Sequence, residues 1–242
     1  MLGKSGGLRG SNMNTPPLLK PGWWCFALPG YREHPTLTTY SLFPYEELPP
    51  LEAPDDAVFQ WLQSKPPQQD WSLAANGYSD GSKPDLGRLP ELITQAKVSF
   101  PSAFITFMQT PSLHERIRSC TACYLELSDY VVQTSDPAKG VLIHFLSDQQ
   151  WCLHWYLYAA RSGGHCVVVS GESYGFDFDP AEPRLDEIDL ISEDIWLCAP
   201  TFVEFIYRFW LENEIFFSLA QGKDPLTSEQ RAYLNHYRRL AT

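Results

Sequence analysis

Pro200-Thr201-Phe202-Val203-Glu204-Phe205-Ile206-Tyr207-Arg208-Phe209-Trp210-Leu211-Glu212-Asn213-Glu214-Ile215-Phe216-Phe217-Ser218-Leu219 is the stretch on which the fold turns. It reads as a helix. Thr201 at the N-cap and Glu204 three residues on make a capping box, and Gly222 followed by Pro225 supplies the stop. Phe202, Phe205, Ile206, Phe209, Phe216 and Phe217 recur at helical spacing and carry more aromatic surface than a lone helix can hide, so they must lie against a sheet. Glu204, Arg208 and Glu212 stand four apart, which predicts two successive ion pairs on the opposite side.

The sheet is expected at the centre of the chain. Tyr124 to Leu127, Val141 to Leu146, Trp151 to Tyr158, Cys166 to Ser170 and Ile195 to Ala199 are apolar, β-branched or aromatic runs separated by turn residues. The short gaps at 147–150 and 161–164 require antiparallel hairpins, because a parallel crossover needs a dozen residues or more. The fold class is therefore α+β: a central antiparallel sheet of about five strands packed by helices. Pairing Leu146 with Trp151 would put His144 and His154 on opposite faces.

Thirteen of the twenty prolines precede residue 91, interleaved with Trp23, Trp24, Phe26, Tyr31, Tyr40, Phe43 and Tyr45. So many aromatics are costly to leave in water, so residues 15–89 read as a Pro/aromatic-rich arm packed on the core and partly covering one face of the sheet. Residues 1–14, glycine-rich and without such anchors, read as a flexible N-terminus, and residues 90–242 as the α+β domain. One helix is expected within the arm, from Asp55 as N-cap to Ser64, with Val58, Phe59 and Leu62 inward. Asn76-Gly77 and Asp80-Gly81 mark turns. Short helices follow over Leu89 to Ala96 and Pro101 to Met108, then a turn capped by Ser112 and Glu115. A last helix opens on a capping box from Thr227 to Gln230, with Tyr233, Leu234, Tyr237 and Leu240 as its stripe.

A net charge of -11 argues against direct binding to nucleic acid or an anionic membrane and makes a basic protein the natural counterpart. No apolar run approaches the roughly 18 to 20 residues of a membrane span. The N-terminal residues hold no apolar signal-peptide core, so the expected compartment is the cytoplasm.

Catalytic motifs are sparse. Cys25, Cys120, Cys123, Cys152, Cys166 and Cys198 sit mostly in strand-like segments and read as buried, reduced thiols. The Cys120-Thr121-Ala122-Cys123 pair lacks the second pair of a zinc ribbon and leads into a strand instead of opening a helix. Gly171-Glu172-Ser173-Tyr174-Gly175 is a G-x-S-x-G after a strand, yet two prolines follow where the nucleophile elbow needs a helix, and His236 is the only histidine downstream. No cofactor or metal motif is recognisable, and no catalytic set is assigned. The strongest surface signal is residues 172–194: Glu172, Asp177, Asp179, Glu182, Asp186, Glu187, Asp189, Glu193 and Asp194 stand against one base, Arg184. Glu172, Asp177, Asp179, Glu182, Asp186, Glu187 and Asp189 are the candidate partner-binding residues.

Three segments resemble the SUKH superfamily. Phe100 to Met108 is similar to its opening L-P-x-x-Y/F-x-x-F helix. Gly140 to Leu146 with Gln150 to Leu157 resembles its central strand pair, and Ala199 to Ile206 its closing helix. The connection at Ser147-Asp148-Gln149-Gln150 is shorter and poorer in glycine than is usual there, and the arm lies outside the common pattern. The resemblance implies a non-catalytic domain whose bacterial relatives commonly serve as immunity proteins against secreted toxins, often nucleases. It makes toxin neutralisation by protein binding the expected role, beside a regulatory scaffold of the same fold and a serine hydrolase built on Ser173.

Overall fold

The computed structural model describes residues 19–33, 38–77, 85–135, 139–177, 184–191, 194–222 and 225–240. The N-terminal segment 1–14, the Asp80-Gly81 turn and the side chain of Leu240 lie outside the described residues. Among the described residues, nine strands form one sheet: β1 (Lys20–Cys25), β2 (Ser41–Pro44), β3 (Tyr124–Leu125), β4 (Val132–Thr134), β5 (Val141–Ser147), β6 (His154–Ala159), β7 (His165–Ser170), β8 (Glu187–Ile188) and β9 (Ile195–Ala199). Their order is β2-β1-β9-β7-β6-β5-β4-β8, and β3 and β4 pair with opposite ends of β5.

The fold is α+β, but the sheet is larger than the expected five strands and it is mixed. β1 runs parallel to β9, and β4 parallel to β8. The additional strands come from segments whose composition hides them. β1 and β2 lie in the proline-rich arm, and β8 lies inside the acidic stretch, with Ile188 as its one apolar residue. Such short edge strands take their pairing from the neighbouring strand more than from their own propensity.

β5, β6 and most of β7 are buried on both faces, which explains their unbroken apolar and β-branched runs. On one face, Val141, Ile143, Phe145, Trp155, Leu157, Val167 and Val169 meet the helical layer. That layer comprises α1 (Gln60–Gln63), α2 (Leu89–Ala96), α3 (Ser102–Met108), α4 (Pro111–His114), α5 (Phe202–Gln221) and α6 (Ser228–Leu240). Leu142, Tyr156, Tyr158, Cys166 and Val168 occupy the other face, under Tyr130, Tyr174, Ile188 and Leu190. The cover on this second face comes from the acidic segment. Most of the arm packs on the helical side, with Trp23 5.9 Å from Phe205 and Phe26 5.8 Å from Phe216, while Leu19 joins the second face.

Helix ends follow local chemistry closely. Thr201 Oγ1 accepts from Glu204 N at 3.1 Å, and Gly222 closes α5 at φ 61°, a left-handed conformation natural to glycine. Thr227 and Gln230 complete their box at the start of α6. The arm's helix is shorter than its pattern predicts. Asp56, not Asp55, accepts from Val58 N and Gln60 N, holding a turn ahead of α1; Phe59 is buried there and Val58 is 46% exposed. The box expected from Ser112 and Glu115 is not formed, because α4 begins at Pro111, a residue suited to a first turn.

Phe202, Phe205 and Phe209 are buried as expected, while Phe216 is only half-buried. The supposed outer side of α5 is also covered. Arg208 and Glu212 are buried, and Glu212 pairs not with Arg208 but with Arg32 of the arm. Its oxygens accept from Arg32 Nη1 at 2.7 Å, Arg32 Nη2 at 2.9 Å, Tyr233 OH at 2.6 Å and Trp23 Nε1 at 2.9 Å. Burial alone would favour the neutral acid, but the Arg32 charge and these donors hold its carboxyl below the ordinary range.

Glu212→Ala leaves the Arg32 guanidinium buried and uncompensated, and should cost about 3 to 5 kcal/mol. Urea unfolding of the variant measures it. A loss below about 1 kcal/mol would mean that packing, not this pair, holds the arm.

Candidate functional site

The acidic segment divides into two described stretches with different roles. In 171–177 the chain leaves β7, turns over the second face of the sheet and is anchored by Tyr174, whose backbone N–H donates to Tyr156 OH at 2.9 Å. Gly175 sits at φ +87°, and an added Cβ would meet Ser128 Cβ at 2.8 Å and Tyr130 O at 3.0 Å, so only glycine fits. That close approach lets Asp129 N donate to Gly175 O at 2.7 Å and Asp177 N donate to Asp129 Oδ2 at 3.0 Å. The second stretch, 184–191, contains β8 and is pinned by Ile188 and Leu190.

Of the seven candidate partner residues, Glu172, Asp177, Asp186, Glu187 and Asp189 are exposed, and Asp179 and Glu182 lie outside the described residues. Asp177 is partly neutralised by Arg184, whose Nε donates to Oδ1 at 2.9 Å and whose guanidinium lies 4.9 Å from the Tyr130 ring centroid. Asp186, Glu187 and Asp189 form an exposed acidic edge, Asp189 accepting from Ile191 N at 3.0 Å, flanked by Leu185 at 49% and Ile191 at 55% exposure.

Ser173 is followed by turn and coil through Asp177, without the helix that a nucleophile elbow places there. His236 is on α6, where its Nε2 contacts Glu47 O at 3.0 Å. The described cysteines are free thiols; burial pushes Cys123 up to about 11 and Cys120 higher still, opposite to an activated redox pair. Cys152 is exposed, because 148–153 forms the turn ahead of β6 and not its first half.

The site that sequence reasoning missed is a cavity of about 520 Å³ beside the acidic segment. Tyr124, Glu126, Leu127 and Asp129 form one wall, Gln149, Gln150 and Trp151 a second, and Phe176 a third. Asp85 and Arg88, at the entry to α2, close it. Arg88 is already engaged: Nη1 donates to Asp129 Oδ1 at 2.6 Å and Nη2 to Asp129 O at 2.7 Å. The Trp151 indole donates to Tyr124 OH, and its ring centroid lies 5.4 Å from that of Phe176.

Behind Glu126 lies a buried polar network that overturns the expected placement of the histidines. The hairpin pairs Leu146 with Trp155 and Ser147 with His154, and a bulge at Phe145 shifts the register between His144 and Leu146. His144 pairs with Tyr156, two residues from His154 on the same face of β6, so His144 and His154 share a face, with ring centroids 5.5 Å apart, and the extra residue puts Ser147 instead of Leu146 opposite His154. Ser147 Oγ lies 3.0 Å from His144 Nε2, 3.2 Å from His154 Nδ1 and 3.1 Å from Glu126 Oε2.

The proton count in this network is constrained. His154 Nε2 faces the Trp151 carbonyl at 3.2 Å and so carries a proton, and burial holds the ring below its ordinary pKa. Neutral His154 then offers a bare Nδ1 that competes with the Glu126 carboxyl for the single Ser147 proton, which is directed at Glu126 Oε2. Burial raises the Glu126 carboxyl and nearby Asp129 adds to the effect, against the Ser147 hydrogen bond, pushing it up to about 7. Burial and the neighbouring His154 keep His144 neutral as well.

Among the described residues, no group of three His, Cys, Asp or Glu side chains is placed to hold a metal ion, and no helix is long and apolar enough to cross a membrane. No family model matches the chain, and no curated protein or solved structure matches it either.

Because the folded pKa of Glu126 lies above its unfolded value, its contribution to stability is full at low pH and is lost as pH rises through about 7. His144 and His154, with depressed folded values, act in the opposite sense and weaken the fold as pH falls below the ordinary histidine range. In Glu126→Gln the amide mimics the protonated acid. The melting temperature of this variant, relative to the unsubstituted chain, should therefore climb between pH 5 and about 7 and then level off. A difference independent of pH would remove Glu126 as the titrating group.

Proposed function

We propose that this chain is a cytosolic, SUKH-like protein-binding domain that acts by stoichiometric capture, as an immunity protein neutralising a basic, nuclease-type toxin. The observation that carries this reading is the exposed edge at β8, where Asp186, Glu187 and Asp189 surround two exposed apolar side chains, Leu185 and Ile191. Acids at the rim steer a basic partner and raise its rate of encounter, while apolar residues among them supply contact area once it docks. β8 is also the terminal strand in the sheet order, so its outer backbone groups suit the addition of a strand from the partner. The overall charge of -11 extends the same field over the molecule.

Ser173 follows a strand and is followed by bend and coil through Asp177, a setting unlike a nucleophile elbow. A nuclease held against an acidic surface is kept from nucleic-acid phosphates, because both compete for the same basic residues. The resemblance of the Phe100 to Met108, Gly140 to Leu157 and Ala199 to Ile206 segments to SUKH domains adds the immunity role.

The combined variant Asp186→Asn, Glu187→Gln, Asp189→Asn tests the reading against a protein recovered from the native host on the unsubstituted chain. Its melting temperature should stay within about 2 °C, since exposed charges contribute little to stability. The association rate should fall about ten-fold or more and lose much of its salt dependence. Unchanged rates and unchanged salt dependence would move the contact away from this edge.

A further inference from the structure

The cavity lined by Trp151 and Phe176 has the chemistry of a cation site. Three carboxyl groups, Asp85, Glu126 and Asp129, face one guanidinium, that of Arg88, which both of its terminal nitrogens commit to Asp129. An anionic ligand would have to displace that pair. Glu126 is 3% exposed and lines the cavity; one oxygen is bonded to Ser147, and the other accepts no hydrogen bond among the described residues. Trp151 and Phe176 supply aromatic surface next to this carboxyl, and the turn holding Trp151 is fixed by the indole bond to Tyr124 and by its carbonyl against His154.

A buried carboxyl facing a cavity with aromatic walls selects a planar cation over an apolar group, which would leave the carboxyl without a partner. A guanidinium suits it better than an ammonium, because it can bond the carboxylate edge-on while its face stacks on an aromatic ring. We infer that this cavity receives an arginine side chain of the bound protein, its guanidinium against the Glu126 carboxylate and its stem along Trp151 and Phe176. The inference deepens the reading of the chain as a binder of basic proteins and rests on it for the source of the arginine. The guanidinium site itself stands on the cavity.

The proton on Glu126 is the cost of entry. It must leave before the carboxylate meets the cation, and the groups facing it are Asp85, Arg88, Tyr124 and Asp129 across the cavity and His144 and His154 through Ser147. The two acids resist ionisation, Arg88 is offset by Asp129, and the histidines stay neutral. Occupancy should therefore strengthen as pH rises through about 7.

N-acetyl-arginine amide, titrated into the full chain and followed by the NMR shift of the Trp151 indole N–H, tests this directly. That signal is assigned by its loss in Trp151→Phe. Saturable binding in the millimolar range is expected, stronger at pH 8 than at pH 6 by several-fold. It should be at least about ten-fold weaker in Glu126→Gln, and as weak for N-acetyl-citrulline amide, the neutral isostere. No saturable shift at Trp151, or equal affinity in Glu126→Gln or for the citrulline probe, would overturn the cation site. Shifts confined to 184–191 would overturn it too, while leaving the acidic edge intact as a docking surface. Failure of the edge variant to slow association, with arginine still bound in the cavity, would instead sink the edge and keep the site.

Discussion

The buried carboxylate of Glu212 is the point on which the architecture depends. It joins three parts of the chain distant in sequence: the arm through Arg32 and Trp23, α5 on which it stands, and α6 through Tyr233. Arg32 extends the set to Tyr237 OH at 2.6 Å and to Phe26 O at 2.9 Å. A carboxylate so deeply placed is tolerated only when its oxygens are fully occupied, so the arm and the C-terminal helix must both be seated before α5 is stable in its position. Such a set favours one arrangement of the arm over others that would bury the same apolar area.

With the arm seated, β1 and β2 extend the sheet beyond β9, and Tyr40 reaches across to Asp148 Oδ1 at 2.8 Å and Thr121 Oγ1 at 2.8 Å. The arm thereby supports the turn after β5, since Asp148 also accepts from Gln150 N at 2.9 Å and anchors the stretch that presents Trp151. The wall of the cavity is thus tied through Tyr40 to the arm.

On the second face, two local features shape the candidate site. The pairing of His144 with Tyr156 puts both histidines on this face, and the bulge at Phe145 brings Ser147 opposite His154, building a polar floor where an uninterrupted strand would have placed Leu146. Gly175 brings the acidic segment against 128–130, which sets Phe176 into the cavity and Asp177 at its edge. The first stretch of the acidic segment thus reaches the cavity, whereas β8 lies toward the other end of β5. On the proposed reading, charge at the rim would act over about a Debye length to draw a basic protein in, and the cavity would act only at contact, where desolvation makes a single paired cation count.

Much of the fold was legible in the chain itself because its signals are local. The Thr201 cap, the Gly222 stop, the stretches of α2 and β9 and the capping box of α6 all rest on residues within a few positions of one another. Hydrophobic content likewise marked β5, β6 and β7, and the acid count marked the exposed edge. What depends on partners far along the chain was not legible. Glu212 has the spacing of a helix-surface ion pair with Arg208, and nothing within four residues reveals that Arg32 will cover it. Ile188 is too short a signal for a strand until β4 offers it backbone partners. The meeting of His144, Ser147, His154 and Glu126 depends on the hairpin register, which pairs His144 with Tyr156, and on one extra residue in β5, which brings Ser147 opposite His154. A bulge changes which face every later side chain occupies without altering composition or periodicity enough to be read, so the cavity and its buried acid were decided only by the tertiary structure.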